Sequence, residues 1–178
     1  MSQDTTINQT TKASSSDRVK SLVITAVCIA LTYVFTAFVN IRLPFGGNGG
    51  LIHLGNVPLF LAAILFGKKT GAIAGGIGMG LFDLLSGWTL WAPFTLVIVG
   101  LMGFTVGAVT EKKNGIVWNA IAIALACVIK IAGYYVAEAI IYSNWTVPAL
   151  SIPGNLIQVL TAAVLVIPIA GQLKKIIR

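Results

Sequence analysis

The long apolar runs constrain this chain more than any other feature. From Val19 to Leu173, stretches of Leu, Ile, Val, Ala and Gly follow one another, interrupted at short intervals by small basic clusters. Only 10% of the 178 residues are charged, and the mean hydropathy is +0.92, whereas a soluble domain carries about 25% charged residues. A surface built from so few charges is matched to hydrocarbon, so the expected class is an integral membrane protein. A net charge of +7 would point to nucleic acid in a soluble chain. Here most Lys and Arg stand between apolar segments, which is the positive-inside pattern, and no nucleic-acid partner is expected.

The apolar runs divide into six helical segments at about 19–40, 56–66, 70–86, 91–110, 116–142 and 152–173. Crossing ~30 Å of hydrocarbon takes about 20 residues, so the second segment reaches only part-way by itself. Basic residues precede the first segment (Arg18, Lys20) and separate the second from the third (Lys68, Lys69). They also separate the fourth from the fifth (Lys112, Lys113) and follow the sixth (Lys174, Lys175, Arg178), while the other connections hold only Arg42. That asymmetry predicts an all-α integral membrane protein of six transmembrane helices with both termini cytoplasmic. Residues 1–17, rich in Ser, Thr, Asn and Gln, form an expected flexible tail, with no apolar stretch of the kind a cleavable signal peptide needs. Residues 18–178 form the membrane domain. Cys28 and Cys127 each lie in an apolar run, where a thiol behaves as a small apolar side chain.

The central stretch, Gly50 to Trp91, reads as a helical hairpin with Lys68 and Lys69 at its tip and polar or aromatic residues at its open ends. Its third segment carries two successive GxxxG patterns, Gly71/Gly75 and Gly76/Gly80, which predict a helix gripped closely on two sides. The preceding connection, 41–55, contains Pro44 and five glycines and is expected to be irregular and external. Such a loop is either a plain connection or a lid that approaches a ligand through its backbone.

Asp83, Lys130 and Glu138 are the ionisable residues placed inside expected spans, where charge is costly and therefore informative. Lys130, Tyr134 and Glu138 recur at i, i+4, i+8 and share a helix face. That row is either a structural Lys–Glu pairing or the polar wall of a pocket. Trp88, Trp91 and Trp145 fall at expected outer helix ends, consistent with an interfacial belt or with a stacking surface for a flat heterocycle. Asn155 and Gln158, at i, i+3, add amide donors and acceptors. His53 and Asp83 are too few to make a transition-metal site, and no metal is expected. No GxxxxGK[ST] loop, HExxH or GxSxG pattern occurs, so no catalytic residue and no enzymatic activity is assigned.

The run GGLIHLGNVPLFLAAILFGKKTGAIAGGIGMGLFDLLSGW, followed by APFTLVIVGLMGFTVG, resembles the S components of energy-coupling factor (ECF) transporters, the small membrane subunits that capture vitamins. The resemblance spans about 19–175, is most specific over 49–107, and is nearest the branch associated with hydroxymethylpyrimidine or pyridoxine. It implies a non-catalytic capture subunit of an ABC-type transporter in the bacterial plasma membrane, holding no cofactor itself. The implied partners are a membrane coupling subunit (T component) and two cytoplasmic ATPases that use ATP and Mg. It further implies an outward-facing pocket under the 41–55 loop, placing Asn48, His53, Trp91, Thr95, Lys130, Tyr134, Glu138, Asn155 and Gln158 as candidate substrate-binding residues. Ala26 and Ala30 match an AxxxA-like docking pattern on the first helix. Riboflavin, pantothenate or thiamine are alternative substrates. An intramembrane enzyme using His53, Asp83 and Glu138, or a scaffold without a ligand, are alternatives of other classes.

Overall fold

A computed structural model describes residues 14–42, 51–113 and 115–177. Six α-helices run in the order α1 (Ser15–Phe38), α2 (Asn56–Phe66), α3 (Lys68–Leu85), α4 (Ala92–Lys112), α5 (Ile116–Tyr142) and α6 (Ile152–Ile177). α1, α4, α5 and the stretch Val147–Ile177 are long and apolar enough to cross a bilayer. α2, with 11 residues, extends only about 16 Å. Of the expected tail, residues 15–17 are already helical, and residues 1–13 lie outside the described part.

α2 is the centre of the bundle. Leu59, Phe60 and Ala63 are completely enclosed, and α1, α3, α4 and α6 all pack against this one short helix. A helix that is apolar on every side belongs inside a fold rather than at its edge. The core continues outward through Val99, Met102 and Val106 of α4, Ala122 and Ala126 of α5, and Val159 and Val166 of α6.

The glycines of α3 explain how so short a helix is surrounded. A Cβ on Gly71 would lie 2.5 Å from the Cβ of Ala63 in α2 and 2.9 Å from the carbonyl oxygen of Gly103 in α4. One on Gly76 would lie 2.7 Å from the Leu96 carbonyl, and one on Gly78 would press on Thr32 of α1. Gly71/Gly75 therefore admits α2 and α4, Gly76 admits α4, and Gly78 admits α1, so three neighbours rather than the expected two are held at backbone distance. Lipid supplies little apolar drive for helix association, and close packing through small residues replaces it.

The tip of the α2–α3 hairpin differs from expectation. The turn is made by Gly67, at φ +91°, a conformation that side chains other than hydrogen resist. Lys68 and Lys69 instead open α3. Lys68 is clasped by Glu111, whose Oε1 accepts its backbone N–H at 2.9 Å and whose Oε2 lies 3.1 Å from its Nζ. Lys174 Nζ donates to the Thr110 carbonyl at 2.8 Å, and Lys113 lies over the ring of Trp118. These contacts gather the basic clusters of α3, α4 and α6 at one end of the bundle.

At the opposite end the connection expected to be irregular contains a short antiparallel pair, β1 (Asn40–Arg42) and β2 (Leu51–His53), in the register Asn40↔His53. The α5–α6 connection contains a 3-10 turn, Val147–Ser151.

Gly103→Ala is expected to cost about 1–3 kcal/mol through backbone overlap with Gly71. Gly100→Ala, whose new methyl meets only the Ala72 carbonyl at an ordinary 3.6 Å, is expected to be neutral or slightly stabilising. Thermal unfolding of the two variants in the same detergent checks the contrast.

Candidate functional site

At the end away from the lysine clusters a cavity opens among five elements. Its wall is built from α5, where Lys130, Tyr134 and Glu138 face inward one turn apart. α6 contributes Asn155 and Gln158, α4 contributes Thr95, and α3 contributes Phe82 and Asp83. Trp88 and Trp91, between α3 and α4, form one side, and Leu51 and His53 of β2 form another.

The polar groups interlock across helices. Lys130 is only 1% exposed, and its Nζ donates to Gln158 Oε1 at 2.9 Å. Gln158 Nε2 in turn donates to the Leu51 carbonyl at 2.8 Å, so one amide joins α5, α6 and β2. The Lys130 ammonium also sits 5.7 Å from the Tyr134 ring centroid, within cation–π range. Tyr134 Oη and Thr95 Oγ1 share a hydrogen bond of 3.0 Å, and Asp83 stands beside them in the lining. Glu138, 3% exposed, accepts a 2.6 Å hydrogen bond from Ser151 Oγ. The Lys130–Glu138 ion pair considered from sequence does not form: the two are separated by two helical turns, about 12 Å of rise, and each has its own partner.

The aromatic residues separate into two groups. Trp91 packs edge-on against Trp88 at 5.3 Å and against Tyr142 at 6.0 Å, making a rigid aromatic corner of the cavity. Trp145 is 65% exposed and outside the lining; its carbonyl accepts the Tyr135 hydroxyl. Trp118 stands at the other end beside Lys113.

Of the nine binding residues expected from sequence, the structure brings eight to this cavity: His53, Trp91, Thr95, Lys130, Tyr134, Glu138, Asn155 and Gln158. Asn48 lies outside the described residues. Gln158 is a brace as well as a lining residue, since both ends of its amide are engaged. Asn155 makes no side-chain hydrogen bond among the described residues and keeps its donors and acceptor for the cavity. Asp83 and Trp88 also line the cavity, although neither is among the nine expected binding residues; the intramembrane charge of Asp83 is the available signal. Leu51, Phe82 and Ser151 carried no signal, because their roles arise only from contact. Ala26 and Ala30 are exposed on α1.

His53 is held in a defined tautomer. Its Nδ1 accepts the Gly55 backbone N–H at 3.2 Å, which leaves Nε2 to carry the proton. Burial, and then the charge of Lys130, push its pKa well below the ordinary imidazole range.

A cavity with a polar wall and an aromatic corner, set in an otherwise apolar helical bundle, defines a membrane-embedded small-molecule binding protein. A family model described as "ECF-type riboflavin transporter, S component" matches residues 16–175, and the chain belongs to this family of ECF transporter S components. It is 29% identical over 154 residues, covering 86% of this chain and 87% of the relative, to the "Thiamine precursor transporter HmpT" of Lactococcus lactis subsp. cremoris (strain MG1363). It is 31% identical over 102 residues, 57% of this chain and 68% of the relative, to an uncharacterized protein of Pyrococcus woesei. Two solved structures share the fold. The S component of a bacterial ECF transporter superposes with a TM-score of 0.70 at 20% identity, covering 90% of this chain and 99% of that one. The S component for biotin from an ECF-type ABC transporter does so with a TM-score of 0.68 at 19% identity, covering 92% and 95%. The protein is therefore a membrane transporter subunit rather than an enzyme.

A histidine kept neutral in the fold makes stability depend on pH with a definite sign. Below the ordinary value of 6.5 the unfolded chain takes up a proton that the folded site excludes, so stability present above pH 6.5 is lost as pH falls. Between pH 7 and pH 5 the thermal midpoint is expected to drop more steeply in the wild type than in His53→Gln. Parallel pH profiles of the two proteins would refute the assignment.

Proposed function

We propose that this protein crosses the membrane six times with both termini cytoplasmic and captures a small heterocyclic thiamine precursor of the hydroxymethylpyrimidine type from outside the cell. The observation that carries this reading is the pairing of an aromatic corner with unlike hydrogen-bonding groups around one cavity. Trp91 and Tyr134 offer faces for a flat ring. Asn155 offers both a donor and an acceptor, Asp83 and Glu138 offer acceptors for an amino or hydroxyl group, and Lys130 donates to a ring nitrogen. The likeness over most of its length to a thiamine precursor transporter supports the same ligand class. The gathering of basic clusters at one end supports the orientation, since that end belongs to the cytoplasm.

In this reading residues 18–178 form the membrane domain, and the chain supplies neither a catalytic step nor a cofactor. A T component docks on α1 at Ala26 and Ala30, where small exposed side chains permit close helix approach. Two cytoplasmic ATPases supply the energy from ATP and Mg, in the bacterial plasma membrane. A second reading, riboflavin as substrate, is favoured by the description of the matching family model. Pyridoxine is a further heterocycle of suitable chemistry.

Trp88 and Trp91 provide the readout, because a ring bound beside them changes tryptophan fluorescence. Titration of the purified protein with hydroxymethylpyrimidine, pyridoxine and riboflavin is expected to show tight saturation with the first. Glu138→Gln and Asn155→Ala are each expected to weaken binding tenfold or more, about 1.4 kcal/mol or greater, as for loss of a charged or buried hydrogen bond. Unchanged affinity in both variants would mean that the ligand sits elsewhere, and saturation by riboflavin alone would replace the ligand while keeping the cavity.

A further inference from the structure

Beneath the cavity wall stands a polar side chain that the fold itself does not use. Asn56, the first residue of α2, is completely enclosed. Neither the oxygen nor the nitrogen of its side-chain amide has a hydrogen-bond partner among the described residues. The backbone of the same turn is paired: the Gly55 N–H donates to His53 Nδ1, and the Val57 and Leu59 N–H groups donate to the Leu54 and Gly55 carbonyls. The enclosed hydroxyls of Thr32, Thr36 and Thr110 are paired as well, each with a carbonyl of its own helix. Buried polar groups in native folds are almost always satisfied, so an enclosed amide with both ends open calls for a partner from outside the chain.

Helix geometry aims this amide at the cavity. Seven residues make nearly two turns, so Asn56 points within about 20° of Ala63, which faces the seam where Gly71 of α3 meets Gly103 of α4. Leu59 lies at the level of Gly75 and Val99. One turn nearer the cavity, α2 reaches Asn56, α3 reaches Met79 and α4 reaches Thr95. Met79 meets α2 at Gly55, as this stagger requires, and Thr95 is part of the cavity lining. The Cβ bonds of a helix tilt toward its N-terminus, and the N-terminus of α2 adjoins His53 at the cavity end.

We propose that Asn56 is a further ligand-binding residue, the floor of the cavity below Thr95, and that it reads the edge of the bound ring. Its carbonyl and its NH2 group stand side by side, so they pair with a heterocycle edge that presents a donor next to an acceptor. Asparagine pairs in this way with the amino group and ring nitrogen of adenine. An aminopyrimidine presents that edge and the imide of a flavin presents an equivalent one, whereas pyridoxine has no such pair. The inference rests on the proposed ligand class and adds the group that selects it, leaving Asp83 and Glu138 for a hydroxyl. Met79 and Phe82 stand at the floor beside Asn56, and Met79, unbranched and free to rotate about several bonds, is the side chain that gives way to the ring.

The test pairs two variants with two ligands. Wild type, Asn56→Leu and Asn56→Ala, each as the full chain, are titrated by tryptophan fluorescence with hydroxymethylpyrimidine and with its analogue in which hydrogen replaces the amino group. Thermal midpoints are measured without ligand. Each variant is expected to bind hydroxymethylpyrimidine about tenfold more weakly, and loss of the amino group is expected to cost the wild type about tenfold but the variants less than about threefold. The ligand-free midpoint of Asn56→Leu is expected to equal or exceed that of the wild type, because an unpaired buried amide has been replaced by an apolar group of similar size. Asn56→Ala, which cannot overpack the floor, decides the pairing if Asn56→Leu folds poorly. Unchanged affinity in the variants overturns the proposal, as does an amino-group penalty equal in all three proteins. A wild type that saturates with riboflavin and not with hydroxymethylpyrimidine overturns the pyrimidine reading alone; Asn56 then stands if the variants lose riboflavin affinity and falls if they keep it. Saturation with pyridoxine alone overturns both.

Discussion

Everything in this fold depends on bringing helices to backbone contact around α2. In lipid an apolar side chain gains little by leaving its surroundings, so a helix of 11 residues has no strong reason to occupy the centre of a bundle. It does so because α3 lacks side chains where its neighbours pass. The carbonyl oxygens of Gly103 and Leu96 lie only 2.9 and 2.7 Å from where a Cβ on Gly71 or Gly76 would stand, and the dispersion energy of these close surfaces replaces the missing solvent drive.

The polar cavity follows from that packing. Burying Lys130, Glu138 and Gln158 among apolar helices would be prohibitive if each were left alone, because an unpaired buried polar group carries its full desolvation penalty. Each is instead satisfied by a residue from another element: Gln158 for Lys130, Leu51 for Gln158, Ser151 for Glu138. The same bonds therefore satisfy the polar atoms and fix α5, α6 and β2 relative to one another. The cavity wall is therefore already organised by its own contacts.

Charge divides the molecule by depth. At one end lysines are clasped by Glu111, by the Thr110 carbonyl and by the ring of Trp118. At the other end Asp83, Glu138 and the buried Lys130 surround the cavity. The cavity is thus segregated from the basic surface.

Residue types along the chain determined which segments are helical, which connections carry the basic clusters, and that α3 is a packing hub, because apolar run length, charge position and glycine spacing are local properties. The row Lys130, Tyr134, Glu138 was likewise legible from its period. Only the tertiary structure decided what those residues touch. The hinge fell on Gly67 rather than on the lysines because a positive φ is needed there and only glycine adopts it freely. Leu51, Phe82 and Ser151 joined the site because β2, α3 and the 3-10 turn were brought against α5 and α6. Asp83 became a cavity residue because α3 packs against α4, which brings it into one lining with Thr95. Contacts between residues more than a hundred positions apart, such as Gln158 with Leu51, have no counterpart in local sequence; they exist because the glycine-lined helices close around α2.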